Sequence, residues 1–191
     1  GEQQAYLSAG PEYREAILFH HNHIRSNHNA PPLTWNDSAA ADALKSAQRC
    51  IWQHWWPHDA NEKANPKGFG QNIATTSSPY PNVTADIVDM WYKSEFVNMT
   101  QSAQWGLDNI DATLFEAVGH LTQLVWKDTT SVGCASWDCN KNMRFKDHPQ
   151  GSDMDKFFVC NYYPAGNMGG QYATNVLQPK EWDVSKFRYD D

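Results

Sequence analysis

The chain is short of basic residues: 15 Lys and Arg stand against 22 Asp and Glu, a formal net charge of -7 over 191 residues. That balance excludes a phosphate-backbone partner, because no basic stripe exists to release counterions. It also disfavours electrostatic attachment to anionic lipid. No apolar run approaches the roughly 18 residues that a membrane-spanning helix needs. Catalytic signatures are missing as well: the sequence has no HExxH, no GxSxG and no CxxC of a structural zinc site. No Pro/Gly/Ser-rich linker, internal repeat or low-complexity segment divides the chain, so its length is that of one ordinary domain. The sequence opens at Gly1 without an apolar leader, which reads either as a mature terminus or as a remnant of expression.

What is present points to a folded, oxidised chain. Hydrophobic residues make up 40% and aromatics 13%, enough to build a sizeable core. The four cysteines, Cys50, Cys134, Cys139 and Cys160, form an even set that permits three pairings. Asn36, Asn82 and Asn98 each open an N-x-S/T glycosylation tripeptide. Together the cysteines and the sequons predict an oxidising, secretory route and an extracellular destination.

The pattern predicts helices first and strands late. Residues 1–10 read as a loose arm. Pro11 suits the first turn of a helix running to about His28, beyond which Pro31-Pro32 prevents continuation. Asn36 is a predicted N-cap for an Ala-rich second helix from Ser38 to Cys50. The stretch through Pro57, Pro66, Gly68 and Gly70 reads as irregular loop. Thr84 is placed as the cap of a third helix in which Ile87, Trp91 and Glu95 share a face. Leu114, Val118, Leu121 and Val125 give a fourth helix its apolar stripe. Strand-like runs follow at Ser131–Trp137, Met143–Phe145 and Lys156–Tyr163. Lys146 to Asp155 reads as a long hairpin loop, and the residues after Pro179 as a weakly packed tail. This order predicts an α+β fold.

Four short segments carry a family resemblance. They are His21-Asn22-His23-Ile24-Arg25, Gly70-Gln71-Asn72-Ile73, Gly119-His120-Leu121-Thr122-Gln123 and Cys160-Asn161-Tyr162-Tyr163-Pro164-Ala165-Gly166-Asn167. They stand in the order found in the secreted CAP superfamily of cysteine-rich secretory proteins, antigen 5 and pathogenesis-related proteins. The chain resembles its fungal and plant members from about Tyr13 to Asn175. The resemblance implies a three-layer α-β-α sandwich around a central antiparallel sheet. It also implies one domain over residues 11–178, a C-terminal tail at 179–191, and disulfides Cys50–Cys139 and Cys134–Cys160.

The same resemblance implies a cleft in which two histidines and two acids hold a divalent cation, zinc or magnesium. Carried onto this sequence, the histidines are His120 and His54, with His58 a competitor in the same loop. One acid position holds Gln71; the other falls on Ser94, with Glu95 one residue further on. A carboxamide ligates only through a neutral oxygen and cannot act as a base, so the cation is expected to bind weakly. Affinity is expected to fall below about pH 6.5, where histidines take up protons. His21, Asn22 and Arg25 are assigned a structural hydrogen-bonding role rather than a metal cluster with His20, His23 and His28.

Superfamily members also bind sterols or fatty acids through an aromatic-bearing loop between the third helix and the GHxTQ helix. Here that interval is 96–108, with Phe96, Met99, Trp105 and Leu107 as its lipid-binding residues. A glycan on Asn98 would keep the loop out of a bilayer. Trp52, Trp55 and Trp56 around His54 read as an ordinary core patch, the other reading being an aromatic cleft wall. The implied function is non-catalytic binding of a sterol or related hydrophobic small molecule by a monomeric, secreted protein. The alternatives are a protein-interaction effector without lipid cargo and a weak metal-dependent hydrolase.

Overall fold

The computed structural model describes residues 10–58, 65–77, 79 and 82–190. The expected arm lies outside the described residues except for Gly10, which opens helix α1 (Gly10–Ser26) just ahead of Pro11. Then come β1 (Thr34–Trp35), α2 (Asp37–Gln48) and β2 (Gly70–Thr76). A helical rod follows, made of α3 (Val83–Ala85), a π-helical stretch (Asp86–Lys93) and α4 (Ser94–Gln101). The remainder is α5 (Phe115–Leu124), β3 (Ser131–Asp138), β4 (Met143–Phe145), β5 (His148–Ser152), β6 (Lys156–Tyr163), α6 (Tyr172–Asn175) and a 3-10 turn (Val184–Lys186).

The central sheet has the order β1-β3-β6-β2. Strands β2 and β3 both pair antiparallel with β6, while the two-residue β1 adds to β3 in parallel, so the sheet is mixed. Alternation along β6 sorts the core into two layers. Phe157 and Val159 meet Ala43 and Ala47 of α2 on one face. On the other, Phe158, Cys160 and Tyr162 meet Ile17 of α1, Trp91 of the rod and Leu121 of α5. Gly133 allows α2 to lie against β3, since a Cβ there would stand 2.2 Å from the Ala40 nitrogen. Cys134 and Cys160, directly opposite in register, form one disulfide, and Cys50–Cys139 joins the end of α2 to the end of β3. Both pairings are those the resemblance implied.

Several local expectations are corrected. Asn36 caps α2 as predicted, accepting from Ala39 N at 2.9 Å. The rod, however, is capped by Asn82, which accepts from Ala85 N at 3.1 Å; the Thr84 hydroxyl donates to that same Asn82 oxygen. The segment 146–155 is not all loop, because β5 pairs with β4 as a hairpin. Gly70, read as the last residue of an irregular loop, opens the edge strand β2, which carries the Gly70-Gln71-Asn72-Ile73 motif. The tail is anchored rather than loose. Phe187 is buried against Tyr92 and His23, and Asn27 clamps the backbone of Lys180 and Glu181. No described helix is long and apolar enough to cross a membrane.

Candidate metal-binding cleft

The four motif segments meet in one hydrogen-bond network. His21 Nδ1 donates to Ile17 O at 2.8 Å, which fixes Nε2 as the acceptor of the Tyr162 hydroxyl, also at 2.8 Å. Asn72 Nδ2 donates to Tyr162 Oη and to the carbonyl of His120. Gln123 accepts from Gly166 N at 2.9 Å and donates to Thr129, tying the GHxTQ helix to the turn after β6. Gly70 leaves room for that buried amide, since a Cβ would stand 2.1 Å from Gln123 Oε1. Arg25 is buried, and its guanidinium donates to the carbonyls of Pro31, Leu124, Trp126 and Thr129, covering the C-terminal end of α5. These contacts fix the position of His120.

A cleft of about 390 Å3 opens beside the edge strand β2, lined by His54, Gln71 and His120 among others. His120 Nδ1 donates to Glu95 Oε2 at 2.6 Å. The second oxygen of Glu95 accepts from the backbone nitrogens of His120 and Leu121 at 2.9 and 3.0 Å. The imidazole stacks on Trp91 at 5.6 Å, and Trp91 stacks in turn on Phe158 at 5.2 Å. Ser94 N bonds Asp89 O five residues back, as a π-helix requires. This extra residue in the turn brings Glu95, rather than Ser94, to His120.

On the opposite wall, His54 Nδ1 donates to Gln71 Oε1 at 3.0 Å. Gln71 Oε1 also accepts from Trp55 N, while its Nε2 donates to Trp55 O and Asn161 Oδ1. Each cleft histidine thus has Nδ1 tied to an acceptor-only oxygen. For each, Nε2 has no hydrogen bond among the described residues. Packing around the His54 ring, including a stack on Trp56 at 6.1 Å, desolvates it and lowers its pKa from the ordinary value. The hydrogen bond to Gln71 opposes this shift, and nearby His120 adds to it. Neutral His54 at pH 7 is therefore available as a nitrogen ligand.

Other predicted residues fall elsewhere. His58 contacts Trp55 and does not line the cleft. Of the three tryptophans, Trp52 lines the cleft, 38% exposed, and packs on Phe145 and Phe157, while Trp55 and Trp56 are half-buried and do not line it. The interval 96–108 is not one loop: Phe96 and Met99 lie on α4 and are buried, because i, i+3 spacing turns both to the core. Trp105 stacks on His28 at 5.4 Å and packs with Phe96 and Trp182; only Leu107 of the four is exposed. Asn98 Nδ2, the atom a glycan would occupy, donates to Ala117 O at 3.0 Å. Asn36 Nδ2 donates to Ser131 Oγ, and Asn82 serves as a cap through its oxygen. The sequence reading missed Glu116 and Phe115, which line the cleft. Glu116 lies four residues before His120, so helical spacing alone puts the two on one face. Among the described residues, no group of three or more His, Cys, Asp or Glu side chains is gathered for a metal.

A profile of the cysteine-rich secretory protein family matches residues 18–162. The chain belongs to the CAP family. It is 39% identical over 172 residues to a "Probable pathogenesis-related protein" of Arthroderma benhamiae, an alignment covering 90% of this chain and 50% of that protein. Fruiting body protein SC7 of Schizophyllum commune is 32% identical, with 82% of this chain and 68% of that protein covered. Venom allergen 3 of Solenopsis invicta is also 32% identical, with 82% and 69% covered. The chain thus spans from half to about two thirds of these relatives' lengths. Among solved structures, NaASP2 with Zn2+ aligns with a TM-score of 0.60 at 24% identity, covering 94% of this chain and 91% of that one. Na-ASP-1 aligns at 0.63 and 20% identity, with 93% and 45% covered. These likenesses give the CAP fold its α+β layering around the sheet.

Proposed function

We propose that this chain is a secreted, non-catalytic binding protein whose cleft takes a zinc ion between His54 and His120. The observation that carries the reading is the pair of imidazoles, each tied through Nδ1 and with Nε2 clear of hydrogen bonds among the described residues. That arrangement fits zinc, which accepts imidazole nitrogen and completes its shell with water. It fits magnesium poorly, since hard cations prefer oxygen ligands. Glu95 and Gln71 act behind the histidines, orienting them rather than ligating. With two neutral protein ligands the ion is held weakly. A bound zinc would supply Lewis acidity there, and a hydrolase reading would need that chemistry. The two disulfides and the sequons support secretion. NaASP2, crystallised with Zn2+, has the same fold.

A second reading adds a sterol or related hydrophobic small molecule as cargo. Its support is the pair of exposed rings on the cleft, Trp52 and Phe115, with Leu107 outside it. Zinc titration by calorimetry, on the wild type, His54→Ala and His120→Ala, tests the first reading. Saturable binding of labelled cholesterol and ergosterol, with and without chelator, tests the second. Trp52→Ala and Leu107→Asp then separate the cleft from the loop. Zinc affinity equal in all three proteins sinks the metal site. Absence of saturable sterol binding sinks that cargo and leaves the effector reading, for which a protein partner is sought by capture.

A further inference from the structure

A second pocket, about 450 Å3, lies at the end of the sheet, beside the Cys50–Cys139 disulfide and the β4–β5 hairpin. It is separate from the cleft and independent of the zinc and sterol readings. Its lining differs in kind. Trp137, at the end of β3, is 40% exposed, and no other aromatic ring stacks on it among the described residues. Around it stand four exposed amides, Gln48, Asn140, Asn142 and Gln150. None of those side chains makes a hydrogen bond to another described residue. Asp138 and Arg144 place one charge of each sign at the edge.

The frame under these side chains is fixed. Arg144 N donates to Cys50 O and Trp52 N donates to Arg144 O, both at 2.9 Å, zipping the hairpin to the end of α2. Asn140 N donates to Asp138 Oδ1 at 2.9 Å, and the turn places Asn140 and Lys141 at φ 49° and 64°. Gly151 at φ 106° permits the hairpin to close over Lys141, whose carbonyl a Cβ would meet at 2.6 Å.

We infer that this pocket is a binding site for a neutral oligosaccharide. A pyranose presents a C–H face, weakly positive, that suits the negative face of an indole. Its hydroxyls donate and accept at once, as primary amides do, so four amides without partners among the described residues match it, where an apolar ligand would pair with neither half of each amide and an ion with only one. The volume lies in the range of small-molecule sites. The net charge of -7 works against polyanionic glycans, which leaves uncharged hexose or N-acetylhexosamine chains.

The test is retention of the purified protein on insoluble chitin, β-1,3-glucan, cellulose and α-mannan, with heparin resin as the anionic arm. Retention is expected on at least one neutral polymer. Trp137→Ala is expected to weaken it by at least about tenfold, and Trp137→Phe to keep most of it. Asn142→Ala combined with Gln150→Ala, both on the surface, gives an independent loss should Trp137→Ala misfold. His120→Ala and chelator are expected to leave retention unchanged, which separates this site from the cleft. No retention on any neutral polymer, retention on heparin alone, or loss in His120→Ala would each overturn the inference. So would equal retention by wild type and the double variant.

Discussion

Two pairs of histidines in this chain use the same ring in opposite ways. His21 and His28 are buried, and both nitrogens of each are occupied: Nδ1 by a backbone carbonyl, Nε2 by a tyrosine hydroxyl. In each case an asparagine donates to that tyrosine in turn, Asn72 to Tyr162 and Asn27 to Tyr92. His54 and His120 stand at the cleft with Nδ1 occupied and, among the described residues, Nε2 unclaimed. The buried pair closes its hydrogen-bond chain inside the protein; the cleft pair leaves one end for something else. A histidine's second nitrogen, rather than its place in a motif, separates scaffold from site here. His21 lies in the longest histidine cluster of the sequence and is scaffold.

The widest separation between the pairs is expected from truncation. His21→Ala removes the partner of Tyr162 and Ile17 in the core and opens a cavity, a cost of about 3–5 kcal/mol. His120→Ala is expected to cost about 1 kcal/mol, since Glu95 keeps two backbone donors, yet to abolish zinc binding. Urea melts and zinc titrations on both variants read this cross-over. A His21→Ala protein as stable as wild type would erase the distinction.

Acid should act on the buried pair, and its sign follows from their burial. Desolvation pushes His21 down to about 3 and His28 to about 4, against 6.5 when unfolded. Their stabilisation is full above pH 6.5 and is lost as pH falls through the folded values, because the unfolded chain protonates first. At pH 5 the two together have lost about 4 kcal/mol. Asp86 works the other way. Burial raises it from 3.8 to about 7, and Oδ2 has no partner among the described residues, so its penalty is full above pH 7 and relieved as pH falls toward 4. Relief between pH 7 and 5 is on the order of 2 kcal/mol, leaving a net loss of about 2 kcal/mol in the wild type. Asp86→Asn removes the relief and should roughly double the loss, as urea melts at the two pH values would register.

Within the cleft pair, Glu95→Gln keeps the shape of the partner of His120 and removes its charge. Loss of an outer-shell carboxylate typically costs 10–100-fold in metal affinity, so a drop of about that size is expected with little change in stability. An unchanged zinc affinity would mean that Glu95 serves the helix backbone alone.

Much of this was legible in the chain and some was not, for physical reasons. Periodicity gave the helices, since burial on one face leaves a repeat that a window can read, whereas β6 is buried on both faces and was marked only by its aromatic and β-forming residues. Asn36 was readable as a cap because its partner, Ala39 N, is three residues away. Glu95 was readable only as a misfit, one residue late, because π-helical hydrogen bonds leave no sequence signal of their own. Phe96 and Met99 were assigned to a lipid loop because the family places one there; only the continuation of α4 through Gln101 shows them to be core. The parallel β1 is two residues long, too short for any pattern to mark. Phe187 packs on residues about 90 or more positions earlier, a contact no local window contains.

The smallest expected effect concerns Gln71, which stands at a position where the resemblance implies an acid. Its amide nitrogen donates to Trp55 O and Asn161 Oδ1, two acceptors that a carboxylate would face without a proton to offer. Asn161 cannot readily turn, since its own Nδ2 donates to Ala39 O under α2. Gln71→Glu therefore adds a charge that favours a nearby cation and loses two hydrogen bonds, one from β2 to the loop at Trp55 and one to Asn161 on β6. Zinc affinity is expected to rise by no more than about tenfold, with a stability loss of about 1–3 kcal/mol. Adding Asn161→Asp would worsen that loss, whereas a donor at 161 would recover it. Tighter zinc binding with no loss of stability would mean that the carboxamide is not locked, and that the cleft pair differs from the buried pair in solvent exposure alone.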